Sequence, residues 1–351
     1  MTQVRQAEEL YGQQGSGLQL GSSGMKTLKV VGLGGGIGAS RLWKALLARG
    51  GEIDLTLAVN TGEDLWIHGL RVCPDLDTVL YALSGRQDSE RGWGVRNETW
   101  HCMETLNGIE GPQWFNLGDR DLAVHLHRTG RLRAGHLLSE ITSDLARGLG
   151  IGCRILPATD AEITTRVMTA DGRDLHYQEF LVREQATADV KGTYIRGPAL
   201  AAPTAGLLAH VASADLVIIG PSNPVASLGP ILHLTGMRET LKASRDRTVA
   251  VTPIVESVPI TDTGENTRAR SRARLLSAAG FASNPVGVAA YYADVAATFI
   301  LDRADLSQLP AVEKQGLRVI AADTLLQQGP DATPLITAFL SSAGVGGSPT
   351  P

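Results

Sequence analysis

The chain reads as an α/β protein built on a doubly wound, mostly parallel sheet, and three observations predict it. Short apolar, β-branched runs at residues 28–33 (LKVVGL), 53–59 (IDLTLAV), 216–220 (LVIIG) and 248–252 (TVAVT) are bounded by turn residues, as strands covered on both faces require. The first run leads into a glycine-rich turn, GGGIGAS, and then into a helical pattern, which is the phosphate-binding unit of doubly wound folds. Residues 134–209 break this alternation and read as an α+β insertion covering the ligand edge of the sheet.

Bulk composition narrows the class. With 351 residues, 43% hydrophobic and 19% charged, the chain can bury a sizeable core. A formal net charge of -4 argues against a general binder of nucleic acid or membrane surfaces, since neither phosphate backbones nor anionic lipids attract such a surface. Cys73, Cys102 and Cys153 are widely separated and odd in number, so they offer neither a disulfide framework nor a zinc pattern, and reduced thiols are the plain account. No uninterrupted apolar stretch approaches the roughly 18 residues that span a bilayer, and no charged-then-apolar leader opens the chain. A cytoplasmic location is expected.

Residues 1–24, rich in Gly, Ser and Gln, read as a flexible extension or a tag remnant, and 344–351 as a flexible tail. Residues 25–343 are expected to form a single α/β domain, with 25–133 and 210–343 as core and 134–209 as the insertion. After the first strand, Gly34, Gly35, Gly36 and Gly38 would let the backbone approach a diphosphate, although such turns also occur without a ligand. Leu42, Ala45, Leu46 and Ala48 then fall at helical spacing.

The second strand ends at Asn60 and leads into NTGEDLWIHGLRVCPDLDTVLY, which holds Glu63, Asp64, Asp75 and Asp77. Pro74 opens a helix there that Gly85 closes. Carboxylates so dense at a strand end suit a hard cation such as Mg2+ together with substrate phosphates. Asp75 and Asp77, in the first helical turn, would favour the helix dipole even without a metal.

The segments 91–101 (RGWGVRNETWH) and 112–129 (PQWFNLGDRDLAVHLHRT) carry Trp93, Trp100 and Trp114, which can line a pocket for a flat ring or pack as core. Asn97 and Asp119 are candidate caps for the helices that follow them. Leu122, Ala123 and Leu126 mark the expected buried face of the second helix, and His125 and His127 cannot share a face as a metal pair. The insertion reads as a helix (LLSEITSDLARGLG) followed by β-like CRILPA, EITTRVMT and DLHYQEFLV, with a hairpin turn at Asp171 and Gly172. Ser222, Asn223 and Ser227 then fall at the carboxyl end of a strand, where open α/β sheets bind ligands, in a proline-rich loop that could equally be a rigid connector. A helix at 287–295, strands at 298–301 and 317–321 and a helix at 334–340 complete the pattern.

Two classes fit these residues: metal-assisted transfer at a phosphorus centre, and a nucleotide-binding regulator without catalysis. A dehydrogenase fits less well, because Asn60 stands where an acidic residue would hold a ribose. The ordered set GGGIG, NTGEDLWIHGLRVCPDLDTVLY, RGWG with NETWH, WFNLGDRDLAVHLHRT and GPSNPVASLGPIL resembles the 2-phospho-L-lactate transferase family of coenzyme F420 biosynthesis, from about Met25 to the C-terminal helix. The gluconeogenesis-factor family of regulators shares the fold, but its members have a DDGGSSG-like run after the second strand and lack the PDLDTV and LGDRD segments present here.

The resemblance implies a Rossmann-like, Mg2+-dependent transferase. It would move a phospho-three-carbon acid (phospholactyl, phosphoenolpyruvyl or phosphoglyceryl) from a guanosine diphosphate-linked donor to the terminal ribityl hydroxyl of the deazaflavin Fo, releasing GMP. Gly34, Gly35, Gly36 and Gly38 would lie against the phosphates, with Ser222 and Asn223 on the nucleotide side. Asp64 and Asp75 would hold the metal. Asp77, Asn116 and Trp100 would face Fo, and Asp64 and Asp77 would be catalytic, Asp77 as a metal-free carboxylate that orients the hydroxyl or accepts its proton. Asn116 stands where relatives often carry a basic residue, and Ile37 where many carry Gly or Thr-Gly. The RGWG and ETWH segments look closer to the bacterial, phosphoenolpyruvate-using branch. A homodimer is the expected assembly.

Overall fold

The computed structural model describes residues 27–88, 90–326 and 332–342. The extension expected at 1–24 and the tail expected at 344–351 lie outside the described residues. Strands follow in the order β1 (Leu28–Leu33), β2 (Ile53–Val59), β3 (Leu65–Ile67), β4 (Leu70–Val72), β5 (Arg154–Pro157), β6 (Thr164–Thr169), β7 (Asp174–His176), β8 (Val190–Arg196), β9 (Leu216–Ile219), β10 (Thr248–Val251), β11 (Thr298–Asp302) and β12 (Arg318–Ala322). The first helices are α1 (Gly36–Leu47), α2 (Pro74–Leu83), α3 (His101–Glu110), α4 (Asp119–Arg133) and α5 (Leu138–Gly148).

Seven strands form the central sheet in the order β12-β11-β10-β9-β1-β2-β5, and every neighbouring pair is parallel. The chain builds outward from β1 through β2 to β5, then returns to the other side of β1 with β9 and continues to β12. The strand order therefore reverses between β1 and β9, and the loops leaving those two strands border the crevice where doubly wound folds bind ligands. Strand side chains alternate between two buried clusters: Val31, Leu33, Val217 and Ile219 pack on one face, Val30, Leu57, Ile218 and Ile300 on the other. Covering both faces is what makes these strands apolar without interruption. Among the described residues no helix is long and apolar enough to cross a membrane.

The insertion is narrower than the sequence pattern predicts. Residues 154–157 (RILP) form β5 and pair in parallel with β2, so they and the preceding α5 belong to the core. The true addition is a three-stranded antiparallel sheet in the order β7-β6-β8, which sits against the loop after β2 through the Thr165 N–H, 2.7 Å from the Gly62 carbonyl. The segment expected as a long strand after Asp171 and Gly172 stops at His176 and turns helical at Glu179–Arg183.

The helix caps also differ from expectation. Asp119 does not cap the helix it opens; its carboxylate accepts from the N–H groups of His101 and Cys102, each at 3.0 Å, and so caps α3. Glu98, just ahead of α3, returns the arrangement by accepting from Arg120 N–H at 2.7 Å and Asp121 N–H at 3.2 Å at the start of α4. Asn97 lies in a turn with φ of 54°. The buried face of α4 is polar: His125, Arg128 and Thr129 are enclosed, whereas Leu126 is 60% exposed. Its neighbours are the acidic start of α2 and the main chain of β4, which reward charge and hydrogen bonding over apolar contact.

Candidate active site

The segment after β2 folds back on itself. β3 and β4 form an antiparallel hairpin with Leu65 opposite Val72, so Asp64, just before the hairpin, and Cys73, just after it, come side by side. Pro74 then starts α2, and the acidic residues at positions 63, 64, 75 and 77 gather although the hairpin separates them in sequence. All four are buried.

Asn60, the last residue before the loop, links them. Its side-chain amide donates to Asp75 Oδ2 at 2.9 Å and lies 3.4 Å from Glu63 Oε1. Glu63 also accepts from Ser227 Oγ–H and from Gln178 Nε2–H, both at 2.8 Å. Burial, and then the charge of Asp75, push the Glu63 carboxyl well above its ordinary range. Burial likewise raises Asp75 to about 7, with Asp64 adding to the rise against the pull of the Asn60 hydrogen bond. Asp64 is raised to about 6 by burial, which the Arg71 charge partly offsets. Three crowded carboxyl groups held away from water have Arg71, on Asp64, as the positive charge in contact with them, and a cation would supply more.

Asp64 is 1% exposed. Its Oδ2 takes a hydrogen bond from Arg71 at 3.3 Å, while Oδ1 is buried and has no hydrogen-bond partner among the described residues. An orphaned buried carboxylate oxygen costs free energy unless something binds it. The carboxylate oxygens of Glu63, Asp64 and Asp75 fit a hard divalent cation such as Mg2+, with the Cys73 thiol, which burial pushes well above its ordinary range, beside them.

The glycine turn lies directly on this cluster. Gly34 has φ of +126° and faces Ser222; Gly35 faces Asp75; Gly36 and Gly38 form the first turn of α1. Ser222 donates to the Gly35 carbonyl at 2.8 Å and so braces the turn. The Asn223 side chain accepts from the N–H groups of Val225 and Ala226 at 3.1 Å, holding the loop after β9 in shape. Gly34, Gly35, Gly36, Gly38, Ser222 and Asn223 thus come together with Asp64 and Asp75 at one sheet edge.

Asp77 departs from the role expected of it. Both of its oxygens are engaged by the Arg128 guanidinium, and its Oδ2 also lies 3.3 Å from the Cys73 N–H. It is therefore no free proton acceptor, and it joins α2 to α4. Asp77, Asp121 and His125 offer ligand atoms within 4.8 Å of one another, a spacing that fits a divalent metal. Arg128, however, already supplies the positive charge there, with Nη1 3.3 Å from His125 Nδ1, and Tyr81 donates to Asp121.

Trp100 and Asn116 meet in a second hollow of about 320 Å3, lined also by Trp93, Met103, Glu104 and Asn107. The Arg91 guanidinium lies 5.3 Å from the ring centres of both Trp93 and Trp100. Met103 packs in one cluster with Leu65 and Val72, so this hollow is built on the hairpin that also carries Asp64. Sequence patterning pointed to these aromatics and to the acidic run, but it left Glu63 without a role and missed His176 and Gln178. Asn60 had a signal in its place at the strand end.

A doubly wound sheet whose switch-point crevice combines a glycine turn with buried carboxylates defines an α/β protein of the Rossmann-like class. The chain belongs to the family described as 2-phospho-L-lactate transferase CofD, whose profile matches residues 30–328. It is accordingly an enzyme of the phospho-acid transferase type, in coenzyme F420 biosynthesis. It is 36% identical over 324 residues to a phosphoenolpyruvate transferase of Nocardia farcinica, covering 90% of this chain and 95% of that protein. It is 38% identical over 294 residues to a 2-phospho-L-lactate transferase of Methanosarcina acetivorans, covering 84% of this chain and 92% of the relative. A crystal structure of a UPF0052-family protein from Bacillus halodurans superposes with a TM-score of 0.59 at 19% identity, covering 90% of this chain and all of that one, a likeness of fold.

Proposed function

We propose that this protein transfers a phospho-three-carbon acid from a guanosine diphosphate-linked donor to the ribityl hydroxyl of the deazaflavin Fo and releases GMP. The observation that carries this reading is the contact between the glycine turn and the acidic cluster, with Asp64 Oδ1 left unbonded beside them. A diphosphate on the turn would place its charge next to carboxylates that need a cation, and Asp64 and Asp75 would hold Mg2+ between the two. The ion would shield the diphosphate at the reacting phosphorus. Gly34, Gly35, Gly36 and Gly38 shape the phosphate side, which Ser222 and Asn223 brace. Trp100 and Asn116 take the deazaflavin ring in the aromatic hollow. Asp77, held by Arg128, fixes the start of α2.

The donor acid is the point on which the relatives differ, since one named for phosphoenolpyruvate and one named for 2-phospho-L-lactate are 36% and 38% identical to this chain. The RGWG and NETWH segments favour the phosphoenolpyruvate donor. Incubation with Fo, Mg2+ and each guanylylated acid in turn, with GMP followed by chromatography, tests both points. GMP formed fastest with the enolpyruvyl donor supports the reading. No GMP with any of the three donors would favour a non-enzymatic nucleotide-binding regulator, and faster release from the lactyl or glyceryl donor would correct the acid. Sedimentation of the same samples tests the expected homodimer, and fractionation of the source cells its cytoplasmic location.

A further inference from the structure

The antiparallel sheet sends a short stretch, His176, Tyr177 and Gln178, down to the carboxylate loop. His176 Nε2 lies 3.2 Å from the Asp64 carbonyl oxygen. The Gln178 backbone N–H donates to His176 Nδ1 at 3.0 Å. A ring nitrogen that accepts carries no proton, so the proton of the neutral imidazole sits on Nε2 and points at that carbonyl. The Gln178 side chain meanwhile donates to Glu63 Oε2 at 2.8 Å, and Thr165 N–H donates to the Gly62 carbonyl at 2.7 Å. One sheet therefore holds the loop at three successive residues.

The grip at Asp64 has a particular consequence. Arg71 holds the Asp64 side chain at Oδ2, Oδ1 has no hydrogen-bond partner among the described residues, and the direction of Oδ1 depends on how the Asp64 main chain is turned. A hydrogen bond to its carbonyl fixes that turn, in the way outer groups orient the ligands of metal sites. We propose that His176 is a positioning residue for the Asp64 carboxylate, aiming Oδ1 into the crevice, and that Gln178 does the same for Glu63. This rests on Asp64 being a cation ligand, as proposed above.

The test is Mn2+ binding to the full-length, metal-free protein, read from the electron paramagnetic resonance of the free ion, in the native chain and in His176→Gln, His176→Asn and Asp64→Asn. Circular dichroism and melting midpoints are recorded alongside. A glutamine carries its N–H2 about where imidazole Nε2 donates, whereas asparagine is too short to reach the carbonyl. His176→Asn is expected to weaken Mn2+ binding about tenfold or more, the usual loss with an outer-shell partner. His176→Gln should bind nearly as the native chain does, with a melting midpoint like that of His176→Asn. Equal weakening in both variants, or no weakening in His176→Asn, overturns the proposal if Asp64→Asn still abolishes binding. Mn2+ binding that survives Asp64→Asn overturns the cation site itself. If His176→Asn fails to fold, His176→Met serves: it keeps much of the bulk of the ring and removes the donor to the Asp64 carbonyl, and unchanged Mn2+ affinity in it overturns the proposal.

Discussion

Asp75 packs directly against Gly35, so closely that a methyl group at Gly35 would stand 2.6 Å from its Cβ and Cγ. Gly35 is extended (φ -139°, ψ -169°), so the backbone itself would accept alanine and the nearest conflict is with Asp75. Gly35→Ala is therefore expected to push Asp75 aside and lower the transfer rate about 100-fold, the scale of a ~1 Å misplacement at a reacting centre. The double variant Gly35→Ala, Asp75→Gly, which removes the Cβ of residue 75 together with its carboxyl, should recover part of the melting midpoint lost in the single one while leaving the rate low. GMP release and scanning fluorimetry read the two effects separately.

Asp64→Asn should leave the fold in place and abolish metal-dependent turnover. An amide in this position still bonds to its surroundings, but it removes the charge from the one buried carboxylate oxygen without a hydrogen-bond partner among the described residues. The amide also weakens the hold on the buried Arg71 guanidinium, which donates to Asp64 Oδ2 at 3.3 Å in the native chain. The variant is thus expected to melt lower than the native chain in the presence of a chelator while remaining folded. A transfer rate equal to that of the native chain in Mg2+ would show that the metal is held elsewhere.

Arg128 is almost fully enclosed, and its guanidinium contacts Asp77, His125 and the Arg71 carbonyl. Removing one partner of such a pair strands a buried charge, at a cost of about 3–5 kcal/mol. Arg128→Ala should lose roughly that much stability in urea unfolding. Arg128→Met combined with Asp77→Asn should lose clearly less, because the stranded charge goes with its partner.

The same network predicts an acid limb of stability. Burial works to raise the Asp121 carboxyl, but the hydrogen bond and charge of His125, followed by Tyr81 and Arg128, outweigh it and hold the group below its ordinary range. In the unfolded chain an aspartate titrates near about 3.9. Because the folded value is the lower one, the unfolded state binds more protons in this window, and stability falls as the pH drops. The contribution is complete above the unfolded value and is lost as the pH falls through the folded one. Asp121→Asn should therefore flatten the stability curve below about pH 4, measured by urea midpoints between neutral and acid pH.

The parallel strands and the first two βα units are legible in the sequence because strands buried on both faces must be apolar throughout and bounded by turn residues. The hairpin β3–β4 is not, since its two-residue turn is His68 and Gly69, at φ of 50° and 74°, where Asn-Gly would have announced it. The helix at Thr263–Ala278 escapes for a different reason. Only Ser271, Leu275 and Leu276 are buried along its 16 residues, so no apolar stripe marks it. In the site, the glycine turn and the acidic run can be read because neighbouring βα units carry them. His176 and Gln178 reach Asp64 and Glu63 from 112 and 115 residues away, on an antiparallel sheet whose docking no local pattern records.

Trp100 gives a prediction about the acceptor alone. It lines the aromatic hollow with Asn116, its ring lies edge-on to Trp93 at 6.4 Å, and Arg91 stands 5.3 Å from its centre. A flat deazaflavin ring in that hollow would gain stacking and dispersion contact, while the reacting hydroxyl sits at the far end of the ribityl chain. Loss of one aromatic face costs about 1–3 kcal/mol of base-like stacking. Trp100→Ala is therefore expected to raise the KM for Fo roughly tenfold or more, with kcat and the KM for the guanylylated donor changed little. A fall in kcat at unchanged KM would place Trp100 with the reacting groups instead of the ring, and a rise confined to the donor KM would move the deazaflavin out of this hollow.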